Sequence, residues 1–293
     1  MMVMLASIWS CTSSFATLVF YDSIGGGYDD LANLNGQSAS PDVGSYLNDW
    51  SSVTGSTNIR QYRINESQGL TYTDANGTSL VTSGGSIELV RHSGSFSGDQ
   101  TAHRQPGGSV AAPGETDVYY FSGLLNMSSA HPMARMGIYS GTDNFGPRIT
   151  EVGFTNDGAA HIWSENTIVA STAAGAFTMG ETYFFVFKVE DDVDPDNLPS
   201  DQVTLWINPI LSSEAANPTP TLQTLVGFNG IFPNNTEFDR LNLVGNPQDP
   251  GSTYFDEFRI GGSWDSITPI PEPGTLLLVG ISLSALLLFR RKK

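Results

Sequence analysis

Carboxylates are the most abundant reactive groups in this chain: 30 Asp and Glu stand against 13 Lys and Arg and four His in 293 residues. Cleaving a glycosidic bond with retention needs two carboxyls about 5 Å apart. On one strand that means acids at i, i+2 and i+4, whose side chains leave the same face. The pattern E-x-D-x-E does not occur. Glu237 and Asp239 are two apart, but Leu241 stands where a third acid would follow, and Asp256 and Glu257 are adjacent and expected on opposite faces. The spacing supplies no catalytic residue, and the expectation is a protein that is not an enzyme.

Acids can also hold a hard cation. The densest oxygen cluster runs from Asp191 to Asn197, with Asp201 beyond. Asp192, Asp194 and Asp196 alternate like the opening of a calcium loop, but the sixth position is Asn197 rather than Gly and the twelfth is Val203 rather than Glu, so the EF-hand register fails. Two readings stay open: an irregular loop holding a structural calcium, and a solvated hairpin between two strong strands. Asp256 lies in phase with Tyr254, Phe258 and Ile260, so alternation points it inward. A buried carboxylate requires backbone donors, a cation or a metal. A structural calcium shared with Asp22 is one solution, and a hydrogen bond to a turn is the other.

The remaining chemistry is sparse. His92, His103, His131 and His161 are not at metal-ligand spacing and are expected as scattered surface side chains. No serine sits in a G-x-S-x-G elbow, and no phosphate loop or dinucleotide fingerprint is present. Trp50, Trp163, Trp206 and Trp264 could form a sugar-stacking platform; Trp206 sits on the polar face of its strand, which makes it the best single candidate.

The elements that must position these groups are strands. From Thr17 to Ile260 short β-branched and aromatic runs alternate with Gly, Asn, Asp, Ser and Pro clusters. Strands are expected at 18–21, 59–64, 69–73, 87–91, 117–125, 133–139, 148–154, 160–164, 182–190, 202–208, 222–228, 238–244 and 253–261. Tyr183, Phe185, Phe187 and Val189 share one face with Lys188 and Glu190 opposite, and Val203, Leu205 and Ile207 oppose Thr204, Trp206 and Asn208. Period-two patterning with one wet face marks antiparallel sheets in layers, so the fold class is all-β, an antiparallel β-sandwich. The single cysteine, Cys11, lies before the body, so no disulfide staples the fold. Formal charge is −17 overall; residues 1–270 hold nine Lys and Arg against 29 Asp and Glu, net −20, which repels phosphate backbones and excludes nucleic acid as a partner.

The last 23 residues depart from this texture. Pro271-Glu272-Pro273-Gly274 interrupts the preceding fold, Leu276 to Phe289 carries no charge, and Arg290, Arg291, Lys292 and Lys293 close the chain. The uncharged core covers roughly 21 Å as a helix against about 30 Å of hydrocarbon, extended by Thr275 and by the snorkelling stems of the arginines. The basic end is the stop that stays cytoplasmic. This order of Pro-Glu-Pro, apolar segment and basic cluster resembles the PEP-CTERM protein-sorting tail of Gram-negative bacteria. The resemblance implies export through the secretion translocon, a precursor anchored in the inner membrane, processing near Pro-Glu-Pro by an exosortase-type enzyme, and a mature form at the cell surface or outside, among exopolysaccharide. Residues 1–16 are expected as a signal peptide, with Ser14-Phe15-Ala16 as its small-x-small site.

A second resemblance lies at Tyr254-Phe255-Asp256-Glu257-Phe258-Arg259-Ile260-Gly261, followed by Trp264. This run is similar to the closing strand of concanavalin A-like (LamG or lectin-type) jelly rolls, which implies that the first and last strands lie side by side. The expected division is a signal at 1–16, a lectin-like sandwich at 17–265, a linker at 266–270 and the sorting tail at 271–293. The function this implies is a non-enzymatic surface or matrix protein contacting exopolysaccharide or biofilm glycans. A secreted glycan hydrolase and a purely structural matrix protein are the alternatives.

Overall fold

The computed structural model describes residues 18–24, 51–52, 60–91, 100–104, 118–139, 148–164, 167–190, 201–226, 240–246 and 251–269. The expected signal at 1–16, the acids Asp192, Asp194 and Asp196, and the tail motif Pro271, Glu272, Pro273 with its cations at 290–293 lie outside the described residues. In chain order the strands are β1 (Leu18–Asp22), β2 (Ser51–Ser52), β3 (Arg60–Asn65), β4 (Ser86–Arg91), β5 (Gln100–Arg104), β6 (Val118–Asn126), β7 (Met133–Tyr139), β8 (Arg148–Thr155), β9 (Ala160–Ser164), β10 (Thr167–Ser171), β11 (Thr182–Glu190), β12 (Asp201–Ile207), β13 (Leu222–Val226), β14 (Arg240–Gly245) and β15 (Ser252–Gly261), followed by the short helix α1 (Trp264–Ile267).

The strands form two antiparallel sheets. The first has the order β13-β12-β11-β6-β15-β4-β3 with β1 also on β15, and the second the order β10-β9-β8-β7-β14-β5-β2. Alternation puts one face of each sheet between them. Tyr183, Phe185, Phe187 and Val189 of β11 meet Val152 and Phe154 of β8 and Ile162 of β9 in the main core. Phe154 sits at its centre, its ring edge-on to Tyr183 and Phe185 at 5.0 and 4.9 Å. Burying such a ring contributes roughly 1.5–3 kcal/mol, which is why the aromatic face of β11 fixes the register of its sheet.

β15, the last described strand, pairs with β1, the first, as the jelly-roll resemblance implies. One edge pairs with β6, while the other pairs with β4 over Ser252–Phe255 and with β1 over Phe258–Gly261. Between these halves the register shifts, and Glu257 takes a left-handed φ of 58°. Such a bulge swaps the faces of the residues beyond it. Phe255, Phe258 and Ile260 therefore all enter the main core, whereas Tyr254 packs on the opposite face.

The opposite face of the first sheet is not wet. Leu124, Phe184, Val186 and Trp206 form a second cluster with Leu70, Tyr72 and Leu80 from the loop 66–85, Leu211 from the loop 208–221, and Trp264 and Ile267 from α1. This covering layer overturns two expectations. The run 69–73 makes only an isolated bridge, Thr73 to Ser79, because Asp74 turns the backbone by accepting from Asn76 and Thr78 N–H at 2.9 Å. The segment 266–270 is not simply a linker: Ser266, Ile267 and Thr268 are buried, and Val81 N–H donates to Pro269 O at 3.0 Å.

Candidate functional site

The β15 bulge gathers the buried charges. Asp256 is fully buried; its Oδ2 accepts from Leu70 N–H and its Oδ1 from Glu257 N–H, each at 2.8 Å. Glu257 is equally buried, and its carboxylate accepts from Ser83 N–H at 2.6 Å, from the Tyr21 hydroxyl at 2.9 Å and from Arg259 Nη2 at 2.5 Å. Arg259 in turn lies over the Tyr21 ring at 4.5 Å and donates to Val81 O. Burial, then the charge of Glu257, pushes the Asp256 carboxyl well above the ordinary carboxylate range. Burial also raises the Tyr21 phenol to about 12.

These contacts correct the inward reading of Asp256. It is buried, but beneath the loop 66–85 rather than between the sheets, and backbone amides supply its partners. Asp22 on β1 caps Ile24 N–H at 2.9 Å. Each of these two acids therefore takes backbone N–H partners. Among the described residues no group of three or more His, Cys, Asp or Glu side chains is placed to hold a metal ion.

Trp206 also departs from expectation. It lies on the face opposite the main core, but only 5% of it is exposed, and it meets Trp264 edge-on at 5.3 Å. Its Nε1 donates to Asn217 O at 3.1 Å. What remains open beside it is a cavity of about 590 Å³, within the roughly 300–1,000 Å³ of small-ligand sites. Thr204 and Lys188 come from the strands, Gln223 from β13, and Glu214, Asn217 and Pro218 from the loop above. Asn217 holds that loop in shape, accepting from Ile210 N–H and donating to the carbonyls of Ile210 and Ser213. Trp206 is thus a wall of the cavity rather than an exposed stacking platform.

Lys188 stands on the cavity wall with its Nζ 2.9 Å from Glu214 Oε1 and 3.1 Å from Glu190 Oε2. Burial opposes its charge, but the hydrogen bonds and charges of Glu214 and Glu190 outweigh it and raise the ammonium pKa. Tyr120 donates to Glu214 Oε2 at 2.5 Å, and burial with that bond drives its phenol far up. The sequence offered one signal for this group: Lys188 is the sole lysine before the tail. Glu214, Asn217 and Gln223 carried none, because nothing local reveals that a loop will fold back over a strand pair.

The second sheet hides its own polar strip. Arg135 and Glu151 pair at 2.8 Å with both side chains buried, Asn242 Nδ2 donates to Glu151 Oε1 at 3.1 Å, and Arg135 lies over the Trp163 ring at 5.3 Å. His131 and His161 are buried rather than on the surface. His131 Nδ1 lies 2.7 Å from Thr253 Oγ1, and His161 bridges Ser171 and Thr155. Burial lowers the His161 pKa. The other two histidine side chains lie outside what the structure describes.

The described residues end at Pro269, and the proline-bounded tail follows in the sequence. Residues 269–292 match the PEP-CTERM protein-sorting motif. The chain therefore carries the signal of exported proteins whose precursors are anchored in the membrane. Among the described residues no helix is long and apolar enough to cross a membrane; the apolar segment 276–289 is not among them. No curated protein gave a significant match. Similar solved structures include the botulinum neurotoxin serotype D binding domain, at 11% identity and TM-score 0.40, covering 83% of this chain but 50% of that one. The calreticulin globular domain of T. cruzi matches at 9% identity and TM-score 0.42, over 73% of this chain and 84% of that one. A carbohydrate binding module from Bacillus subtilis matches at 10% identity and TM-score 0.39, over 80% and 99%. This chain thus spans half the length of the toxin domain.

Proposed function

We propose that this chain is a non-enzymatic surface or matrix protein, held in the inner membrane by its tail until an exosortase-type enzyme acts near Pro271-Glu272-Pro273, after which the sandwich contacts exopolysaccharide. The observation that carries the reading is the sorting motif at residues 269–292. It begins at Pro269, the residue that Val81 N–H ties to the body. The cavity beside Trp206 supports the second half, because it joins an indole wall to amide and hydroxyl groups, the mixture that a sugar ring with one apolar face and a hydroxyl rim requires.

The test is the intact mass of the protein recovered from an exopolysaccharide-producing host, together with its retention on that polysaccharide. The expected result is a chain lacking everything after the Pro-Glu-Pro region and held on the polysaccharide. A full-length chain ending in Arg290-Arg291-Lys292-Lys293 would reduce the tail to an anchor. Processed protein that passes through unretained would leave a purely structural matrix role.

A further inference from the structure

The cavity beside Trp206 also carries a charge signature, and resting on the glycan reading above, we infer that it takes neutral saccharides and rejects uronic and sulfated ones. Lys188 is the one cation among the described lining residues, and it is already spent, with Glu214 on one side and Glu190 on the other. Glu214 on the wall balances Lys188, and Glu190 beside it leaves two carboxylates around one ammonium. An anionic sugar entering here would set its charge beside Glu214, whose oxygens are already committed to Lys188 and Tyr120. The like charge disfavours it, and the formal −20 of residues 1–270 adds long-range repulsion.

The remaining groups suit an uncharged polyol. Thr204 and Gln223 bring a hydroxyl and an amide, joined by a 3.1 Å hydrogen bond. Pro218 and Pro220 lack N–H groups and present apolar rings. The indole is held in place by its bond to Asn217 O and by Trp264, so little ordering is left for a ligand to impose.

The test uses mature protein purified from producing cells and titrated calorimetrically with neutral oligosaccharides (glucan, galactan and mannan fragments) and with uronic acid oligosaccharides of equal length. Expected is saturable binding of at least one neutral series, with the uronic series at least tenfold weaker. Gln223→Ala, a change at an exposed position, should weaken neutral binding by about three- to tenfold, the worth of one hydrogen bond. The double variant Glu190→Gln with Glu214→Gln, which leaves Lys188 unneutralised, should narrow the gap between the series. Equal or tighter binding of uronic oligosaccharides by the unaltered protein would overturn the inference and leave the glycan reading standing. Binding of a neutral series that Gln223→Ala does not alter would move the site elsewhere. Binding of neither series would overturn the glycan reading itself.

Discussion

Asp256 and Glu257, neighbours in the chain, both reach the same covering loop: Asp256 takes the Leu70 N–H and Glu257 the Ser83 N–H. Ordinary strand alternation would send them to opposite faces. The left-handed φ of 58° at Glu257 cancels the alternation. Arg259 completes the clamp by donating to Val81 O between the two anchor points. One bulge thus fastens the 66–85 loop over the outer face of the first sheet.

The clamp predicts a particular dependence on pH. Asp256 has a folded pKa raised above its unfolded value, so between the two the folded chain holds a proton that the unfolded chain has released. Its contribution is complete below about pH 4 and is lost as pH rises from there toward the raised folded value. Glu88 does the reverse: burial opposes its ionisation, but bonds from Arg63, Ser252 and Asn65 hold it below the ordinary range, so its contribution fades as pH falls. Asp256→Asn should remove the first component while losing one acceptor, at a cost of about 1–3 kcal/mol. Urea unfolding from pH 4 to 8 checks this, and an unchanged slope in the variant would refute it.

Tyr21 extends the argument to alkali. Its phenol, donated to Glu257, is raised to about 12 from 10.0. Between those values the unfolded chain loses the phenolic proton while the folded chain keeps it, so stability drops as pH climbs through that interval. Tyr21→Phe removes the titration and should flatten this part of the profile, at the cost of a hydrogen bond to a buried carboxylate. Denaturant midpoints of the two proteins between pH 9 and 12 measure the difference.

Which of these relationships was legible in the sequence follows from what each depends on. The strands at 133–139, 160–164 and 182–190 were, because period-two runs such as that of Tyr183, Phe185, Phe187 and Val189 are a local property. The pairing of β1 with β15 was implied by the Phe255-to-Gly261 run. The covering layer was not. Trp206 and Lys188 occupy a face that looks wet along β11 and β12, and it is the return of residues 66–85, 208–221 and 264–269 that dries it. The strands 100–104 and 167–171 escaped for the opposite reason: they are short, and β10 is largely exposed, so no buried pattern marks it.

The Arg135–Glu151 pair yields a third prediction. Both side chains are buried, and Trp163 and Asn242 pack on them. Glu151→Ala leaves a guanidinium stranded in a dry environment, which costs about 3–5 kcal/mol, whereas replacing both partners with apolar residues of similar volume costs far less. Arg135→Met combined with Glu151→Leu should therefore be more stable than Glu151→Ala alone. Thermal unfolding of the three proteins tests the order, and a double variant no better than the single one would show the pair to be intrinsically stabilising.

The last prediction concerns where the body stops. Pro269 O is held by Val81 N–H, Thr268 is buried with its hydroxyl on Leu211 O, and Pro271 follows after Ile270 alone. Two residues of extended chain reach at most about 7 Å. An enzyme acting at Pro271-Glu272-Pro273 must therefore work against the folded surface, or wait for the 264–269 strap to lift. Lifting it exposes Trp264 and Ile267, both buried in the second cluster, at about 1.5–3 kcal/mol for each fully exposed side chain. Inserting six Gly and Ser residues after Pro269 removes the constraint and leaves Pro271-Glu272-Pro273, the segment after it and the body unchanged. The expected outcome is a several-fold faster conversion of precursor to mature form, read by pulse-labelling in a processing host. Val81→Pro, which deletes the amide that holds Pro269, should move the rate in the same direction. Unchanged rates in both variants would mean that the enzyme reads the motif flush against the sandwich.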